Sequence, residues 1–373
     1  MSSARDLRRE RDATRFVDLD GPFTMCRGGV LPGVRLAYES WGRLNAARDN
    51  AVLLFTGLSP SAHAASSEQD PSPGWWEYMV GPGKPIDTDR YFVVCCNNLG
   101  SCFGSTGPAS IDPRTGEPHR LGFPELAIED IAAAARAAVR ALGIERVSTV
   151  VGASLGGMAA LAYAVRYPEE VGAVATLSAA AQATPFAIAV RSLQREMIRS
   201  DPAWRGGDYD EQPADGMRLA RKLGLTSYRS GVEWLERFGR ERVPAEQRQG
   251  EPFEREFQIE SYLEANARKF VGGFDANCYL YLSRAMDWFD LTARDGGSLT
   301  GALGRVRARR HLVIGVETDF LFPLWQQREL ADALARVGHE VRFTPLASPQ
   351  GHDAFLVDEA RFAPAVGAFF ADG

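Results

Sequence analysis

Ser154 stands in Gly152-Ala153-Ser154-Leu155-Gly156, a serine with a glycine two residues away on either side. A serine hydroxyl is a weak nucleophile until a base takes its proton and a carboxylate orients that base. The glycines suit a serine held on an abrupt strand-to-helix turn, where side chains at the flanking positions would collide with backbone. The five residues alone also fit an ordinary glycine-softened turn. Their surroundings favour the turn that exposes a nucleophile: Thr149-Val150-Val151 before them is strand-like, and Met158-Ala-Ala-Leu-Ala-Tyr163 after them is helix-like. The Leu155 N–H then opens a helix, where backbone amides and the helix dipole favour a developing oxyanion.

Five histidines can supply the base: His63, His119, His311, His339 and His352. Serine turns of this kind carry their partners in the chain order serine, acid, histidine. His63 and His119 precede the serine, His311 begins an apolar run, and His339 follows Gly338 at a helix end, a surface position. His352, in Ser348-Pro-Gln-Gly-His352-Asp353 just beyond a strand-like run ending near Leu346, is the expected base. Asp319, in Gly315-Val-Glu-Thr-Asp319 after the preceding run, is the expected acid, with Glu317 as its rival. A second oxyanion donor is expected in the loop after an early strand. The Leu58 N–H of Thr56-Gly57-Leu58-Ser59-Pro60 fits, the alternative being a plain glycine turn.

Such groups meet only if strands and helices alternate. Leu36–Trp41, Ala51–Thr56, Tyr91–Cys96, Val147–Gly152 and Val171–Leu177 are strand-like. The near-continuous apolar runs among them suit strands buried on both faces of a parallel sheet. Glu125–Leu142 and Leu155–Arg166 are helix-like between them, and the alternation points to a doubly wound α/β sheet. It stops over residues 184–299, which are helical in pattern and rich in arginine and aromatics. It then resumes with the strand His311–Val316, the helix Leu324–Val337, the strand Glu340–Leu346 and a closing helix near Ala360–Phe370. With the serine turn, this predicts an α/β-hydrolase fold with a mostly parallel sheet. The expected division is a flexible arm over 1–15, a core over 16–183 and 300–373, and a helical lid over 184–299.

Composition narrows the partners. The 373 residues are 45% hydrophobic and 24% charged, with a formal net charge of −6, giving no reason to expect nucleic acid or an anionic membrane. An anionic substrate must be drawn by local arginines. Cys26, Cys95, Cys96, Cys102 and Cys278 are odd in number and show no metal-ligand spacing, so neither a disulfide framework nor a zinc site is expected. The polar opening has no signal-peptide pattern, and no run of roughly 18 apolar residues exists for a membrane span. A reduced cytoplasmic protein with no metal and no cofactor is the expectation.

Several segments jointly resemble the homoserine O-acyltransferases of the α/β-hydrolase superfamily over about residues 20–370. They are Asn98–Pro108, Phe123-Pro-Glu125, Ser154-Leu-Gly-Gly-Met158, Leu219-Ala-Arg-Lys222 with Ser227-Tyr-Arg229, Glu260-Ser-Tyr-Leu263, Phe270–Asp275, Tyr279–Leu282 and Arg284-Ala-Met-Asp287. The resemblance implies transfer of an acyl group from coenzyme A to an amino-acid hydroxyl, by a homodimer built through the lid helices. It implies Ser154, Asp319 and His352 as the triad, Arg221 as the residue that holds the amino acid's carboxylate, and Asp353 as the one that holds its amino group. Without the resemblance, Arg221 is better explained as a solvated charge in Arg218-Leu-Ala-Arg-Lys222.

Two departures narrow the substrates. Gly57-Leu58-Ser59-Pro60 lacks the acidic residue typical of homoserine acetyltransferases. With Ala62-His-Ala-Ala65 and Gly74-Trp-Trp76 it is similar to the serine O-succinyltransferase branch, where this loop is associated with the choice of serine. Arg191, in Ile188-Ala-Val-Arg191-Ser-Leu-Gln-Arg195, matches the branch's arginine associated with succinyl-CoA. A buried arginine would favour a succinyl group, whose free carboxylate an acetyl group lacks. Leu321 pulls the other way, standing where many succinyltransferases of homoserine have arginine. The expectation is a ping-pong L-serine O-succinyltransferase serving cysteine biosynthesis, with succinyl-CoA as substrate rather than cofactor. The alternatives are homoserine O-succinyl- or O-acetyltransferase, then a carboxylesterase or thioesterase. From another class comes a catalytically silent binding module, distinguished by the absence of an acylated Ser154.

Overall fold

The apolar runs form the middle of an eight-stranded sheet in the computed structural model, which describes residues 13–248 and 250–372. Its strands are β1 (Arg15–Leu19), β2 (Val34–Trp41), β3 (Ala51–Phe55), β4 (Phe92–Cys96), β5 (Val147–Ala153), β6 (Val171–Leu177), β7 (Arg310–Val316) and β8 (Glu340–Leu346). They lie in the order β1-β2-β4-β3-β5-β6-β7-β8. β1 pairs antiparallel with β2, and β2 with β4; every other pair is parallel. β1 is not expected from the sequence: most of the anticipated arm lies outside the described residues, but Arg15 already pairs with Tyr38.

β3 shows why the central runs are continuously apolar. Leu53 and Phe55 enter one core with α1 (Ile128–Ala141) and α2 (Leu155–Arg166), whereas Val52 and Leu54 enter a second core on the opposite face. Both faces of the strand are dry, so no position tolerates a polar side chain. Truncating Leu54, fully buried, to alanine removes about 2–5 kcal/mol of stability.

Between β6 and β7 the chain runs through α3 (Pro185–Ser200), α4 (Ala214–Tyr228), α5 (Gly231–Phe238), α6 (Gln258–Phe270), α7 (Ala276–Trp288) and the short α8 (Leu299–Leu303). Thr184 caps the first of them, its hydroxyl accepting from the Ala187 N–H at 3.2 Å, and Pro185 sits at the first helical position. After β7 come α9 (Leu324–Arg336), α10 (Ala354–Val357) and α11 (Glu359–Ala371), the last packing on the second core through Phe362, Val366 and Phe369. No helix among the described residues is long and apolar enough to cross a membrane.

The parallel register aligns the carboxyl ends of β3, β5, β7 and β8. Loops leaving those ends form the crevice of an open α/β sheet. The six helices α3–α8 reach this crevice at the junction of α4 and α5. A side chain at Gly351 would come within 2.8 Å of the Arg229 carbonyl carbon and 2.9 Å of the Ser230 nitrogen, and its φ is +67°. Only glycine lets the loop after β8 lie this close to the inserted helices.

Candidate active site

Ser154 sits between β5 and α2 with φ 56° and ψ −123°, backbone angles that cost about 1–3 kcal/mol and persist only where neighbours impose them. The neighbours are close. A Cβ on Gly152 would lie 2.1 Å from the Gly156 oxygen, and one on Gly156 would lie 2.5 Å from the Phe55 oxygen and 2.8 Å from the Thr56 oxygen. Both glycines of the motif are therefore required by space. Gly57 differs, since a methyl there would touch only Pro60, at 3.7 Å.

His352 Nε2 lies 2.8 Å from Ser154 Oγ, and His352 Nδ1 lies 2.7 Å from Asp319 Oδ2. A carboxylate only accepts, so Nδ1 carries the proton and Nε2 is left to receive the one on Ser154. Asp319 is in turn fixed through Oδ1, which accepts from the Leu321 and Phe322 N–H groups at 2.8 and 2.9 Å. Glu317, the rival acid, is exposed, whereas Asp319 is buried. Burial disfavours a charged His352, but the Asp319 carboxylate outweighs it and the pKa is raised. Phe322 stacks on the imidazole at 5.1 Å between ring centroids.

The other histidines are used elsewhere. His63 is buried between Glu39 and the Ser72 carbonyl, and His311 bonds the Ala308 carbonyl at 2.7 Å. His119 faces Asp112, and His339 is half-buried.

Leu155 supplies the first amide of α2, to which the helix offers no acceptor. The loop carrying Leu58, Ser59 and Pro60 packs against the serine turn through the Thr56 carbonyl. It is tied down from the loop after β4: Asn98 Nδ2 donates to the Gly57 carbonyl at 2.9 Å, and Asn97 Nδ2 to the Pro60 carbonyl at 3.3 Å. Sequence reading assigned these asparagines no role, although Asn98 begins one of the motifs quoted above.

The inserted helices bring the arginines. Arg221, on α4, is half-buried with its guanidinium 4.6 Å above the Phe270 ring, and its Nε is buried without a hydrogen-bond partner among the described residues. It is not a solvated surface charge. Asp353, next to His352, pairs with Arg229 Nε at 3.2 Å. Burial raises the Asp353 pKa against the opposing charges of Arg229, His352 and Arg221, so these groups share one neighbourhood. Arg191, on α3, is buried and donates from Nε to Asp287 Oδ1 at 2.6 Å. Its positive charge reaches His352, lowering that pKa slightly against Asp319. Leu321 is buried, with its amide on Asp319.

The alpha/beta hydrolase fold family matches residues 50–359. The chain belongs to that family. Within it, a "Serine O-succinyltransferase" of Litchfieldella anticariensis is 63% identical over 96% of this chain and 99% of its own. An "L-serine/homoserine O-acetyltransferase" of Streptomyces lavendulae is 60% identical over 96% of this chain and 97% of its own. Among solved structures, a homoserine O-acetyltransferase from Bacillus anthracis superposes with a TM-score of 0.86 at 29% identity, covering 95% of this chain and 97% of that one.

This hydrolase-fold chain therefore brings Ser154, His352, Asp319, Leu155, Arg221 and Asp353 to one crevice, with the Gly57–Pro60 loop packed beside the serine turn and Arg191 buried on α3 against Asp287. Arg229 and Asp287 are the partners that sequence reading passed over. Each lay inside a quoted motif, but pairing across the insertion leaves no local signal.

Proposed function

We propose that this protein is an L-serine O-succinyltransferase, an acyltransferase that uses succinyl-CoA and forms a succinyl-Ser154 intermediate. The reading is carried by a hydrogen-bonded Ser154–His352–Asp319 chain with two incompletely paired arginines near it, in a protein whose near-full-length relatives include a serine O-succinyltransferase. Two arginines suit two carboxylates, one on the acceptor amino acid and one on the donor acyl group.

Acylation begins as Ser154 Oγ attacks the thioester carbonyl and His352 Nε2 takes its proton. The Leu155 and Leu58 amides receive the oxyanion. Collapse breaks the carbon–sulfur bond, and His352 returns its proton to the departing thiolate. L-serine then enters with its carboxylate on Arg221 and its ammonium on Asp353. His352 takes the proton of the serine hydroxyl, which attacks the ester of succinyl-Ser154. Breakdown restores Ser154 with that same proton. The helices of residues 184–299 act as a lid whose exclusion of water keeps transfer ahead of hydrolysis.

The product, O-succinyl-L-serine, suits cysteine biosynthesis, and the assignment fits a cytoplasmic enzyme. Phe186, Ile188 and Leu193 on α3 and Val232 and Leu235 on α5 are exposed, which fits a homodimer joined through the lid helices.

A second reading is an O-acetyltransferase acting on serine or homoserine, favoured by Leu321 and by the Streptomyces lavendulae relative. Acetyl-CoA and succinyl-CoA assayed against serine, homoserine and water separate the readings. The proposal expects the highest kcat/KM for succinyl-CoA with serine; preference for homoserine or acetyl-CoA overturns it.

A further inference from the structure

A buried charge cluster in the inserted helices goes beyond what either half-reaction uses directly. Arg191 and Arg195 are one turn apart on α3, and Asp287 faces both from α7. Asp287 Oδ1 accepts from Arg191 Nε at 2.6 Å, and its Oδ2 lies 2.6 Å from Arg195 Nη2. Arg195 also donates from Nη1 to Ser283 Oγ at 2.8 Å, again on α7. All three charged side chains are about 6–7% exposed. Two buried cations thus share one buried anion, leaving one positive charge unbalanced where water cannot screen it.

The imbalance has a location. Arg195 is held by its Nη1 bond to Ser283 and by the ion-pair contact of Nη2 with Asp287 Oδ2, whereas Arg191 is held at Nε and its Nη2 is buried without a hydrogen-bond partner among the described residues. A buried guanidinium nitrogen left empty favours an anionic acceptor that arrives with a ligand. Without Asp287, repulsion from Arg195 would push Arg191 away from its present orientation.

We infer that Asp287 is a positioning residue for donor choice: by taking Arg191 through Nε, and being braced by Arg195, it presents the remaining edge of the Arg191 guanidinium to the free carboxylate of a dicarboxylic acyl donor. The inference rests on the reading of Arg191 as the donor-selecting arginine. It adds that the selectivity is built by three residues on two helices and fails when the anion between the arginines is lost.

The test measures kcat/KM for succinyl-CoA and acetyl-CoA on single preparations of Asp287→Asn, Asp287→Glu, Arg195→Lys and Arg191→Ala. A ratio taken on one preparation is unaffected by the fraction that is folded. Asp287→Asn is expected to lower the succinyl/acetyl ratio about 10- to 100-fold, the worth of a charge-assisted bond. Asp287→Glu is expected to recover part of it. An equal loss with both donors makes Asp287 merely structural and overturns the inference. So does an unchanged ratio in Asp287→Asn while Arg191→Ala shifts it, a result that leaves the Arg191 reading standing. An unchanged ratio in Arg191→Ala defeats the donor reading itself. Should Asp287→Asn prove insoluble, Asp287→Glu and Arg195→Lys decide: normal ratios in both overturn the inference.

Discussion

Replacing Asp319 by asparagine tests the proton path at its least visible point. An asparagine there cannot turn freely, because the Leu321 and Phe322 N–H groups both need an oxygen where Oδ1 lies. The amide nitrogen must then face His352 Nδ1, 2.7 Å from the present Oδ2. A donor in that place forces Nδ1 to accept, which moves the imidazole proton to Nε2, opposite Ser154 Oγ. The base then presents a proton where it should receive one. Wrong-tautomer triads lose about 10⁴-fold in kcat, or about 5.5 kcal/mol of barrier. The assay is the burst of free coenzyme A on mixing enzyme with succinyl-CoA, followed by steady-state kcat over a range of pH. In the parent enzyme, acylation falls as pH drops through the raised pKa of His352, since the protonated ring cannot accept. Without that carboxylate the largest influence raising the pKa is gone, and burial with the Arg191 charge outweighs Asp353, so the acid limb of Asp319→Asn moves to lower pH. A variant that keeps its burst rate within about tenfold of the parent refutes the tautomer argument.

Three further outcomes follow from the same geometry. Because the His352 pKa is raised in the folded state, the Asp319–His352 pair adds stability that is full below the unfolded pKa and lost as pH rises through the folded one. The gap in urea-unfolding free energy between parent and Asp319→Asn should be larger near about pH 5.5 than near about pH 8.5, and a gap that grows with pH contradicts the linkage. Gly156→Ala, whose Cβ would lie 2.5 Å from the Phe55 oxygen, should lose about 1–3 kcal/mol of stability and lower kcat by displacing the Leu58 loop; an unperturbed melting temperature counts against it. Arg221→Ala should reduce kcat/KM for serine about 10- to 100-fold while sparing the coenzyme A burst, and equal damage to both half-reactions would assign Arg221 to the fold.

What the sequence made legible, and what it hid, divides along contact range. The bounds of α2 and β8 are legible locally: the serine turn opens α2, and Val341 and Phe343 alternate with Glu340, Arg342 and Thr344 along β8. Ser154 and His352 were found by turn chemistry and chain order. The choice of Asp319 over Glu317 turns on burial and two backbone amides, which no spacing encodes. β1 has no apolar run to mark it: at the sheet edge only Val17 is buried, and Arg15 and Asp18 are charged and exposed. The Asp287 clamp was hidden most completely, since it joins α3 to α7 across 96 residues of chain. A reader of one sequence sees three charges in two helices without knowing that they meet.

Gly351 gives the molecule a mechanical property beyond its steric one. The loop it permits ties the base to the inserted helices: the Ser230 hydroxyl donates to the Pro349 carbonyl, and Arg229 donates to Gln350 at 2.7 Å. The same stretch of chain carries Arg221 one helical segment upstream and Arg229 against Asp353. An acceptor too long for the site that displaces α4 therefore drags on the imidazole as well. On the proposed reading, discrimination between amino acids differing by one methylene is therefore expected as a slower proton transfer as well as weaker binding, and so in turnover even at saturating acceptor.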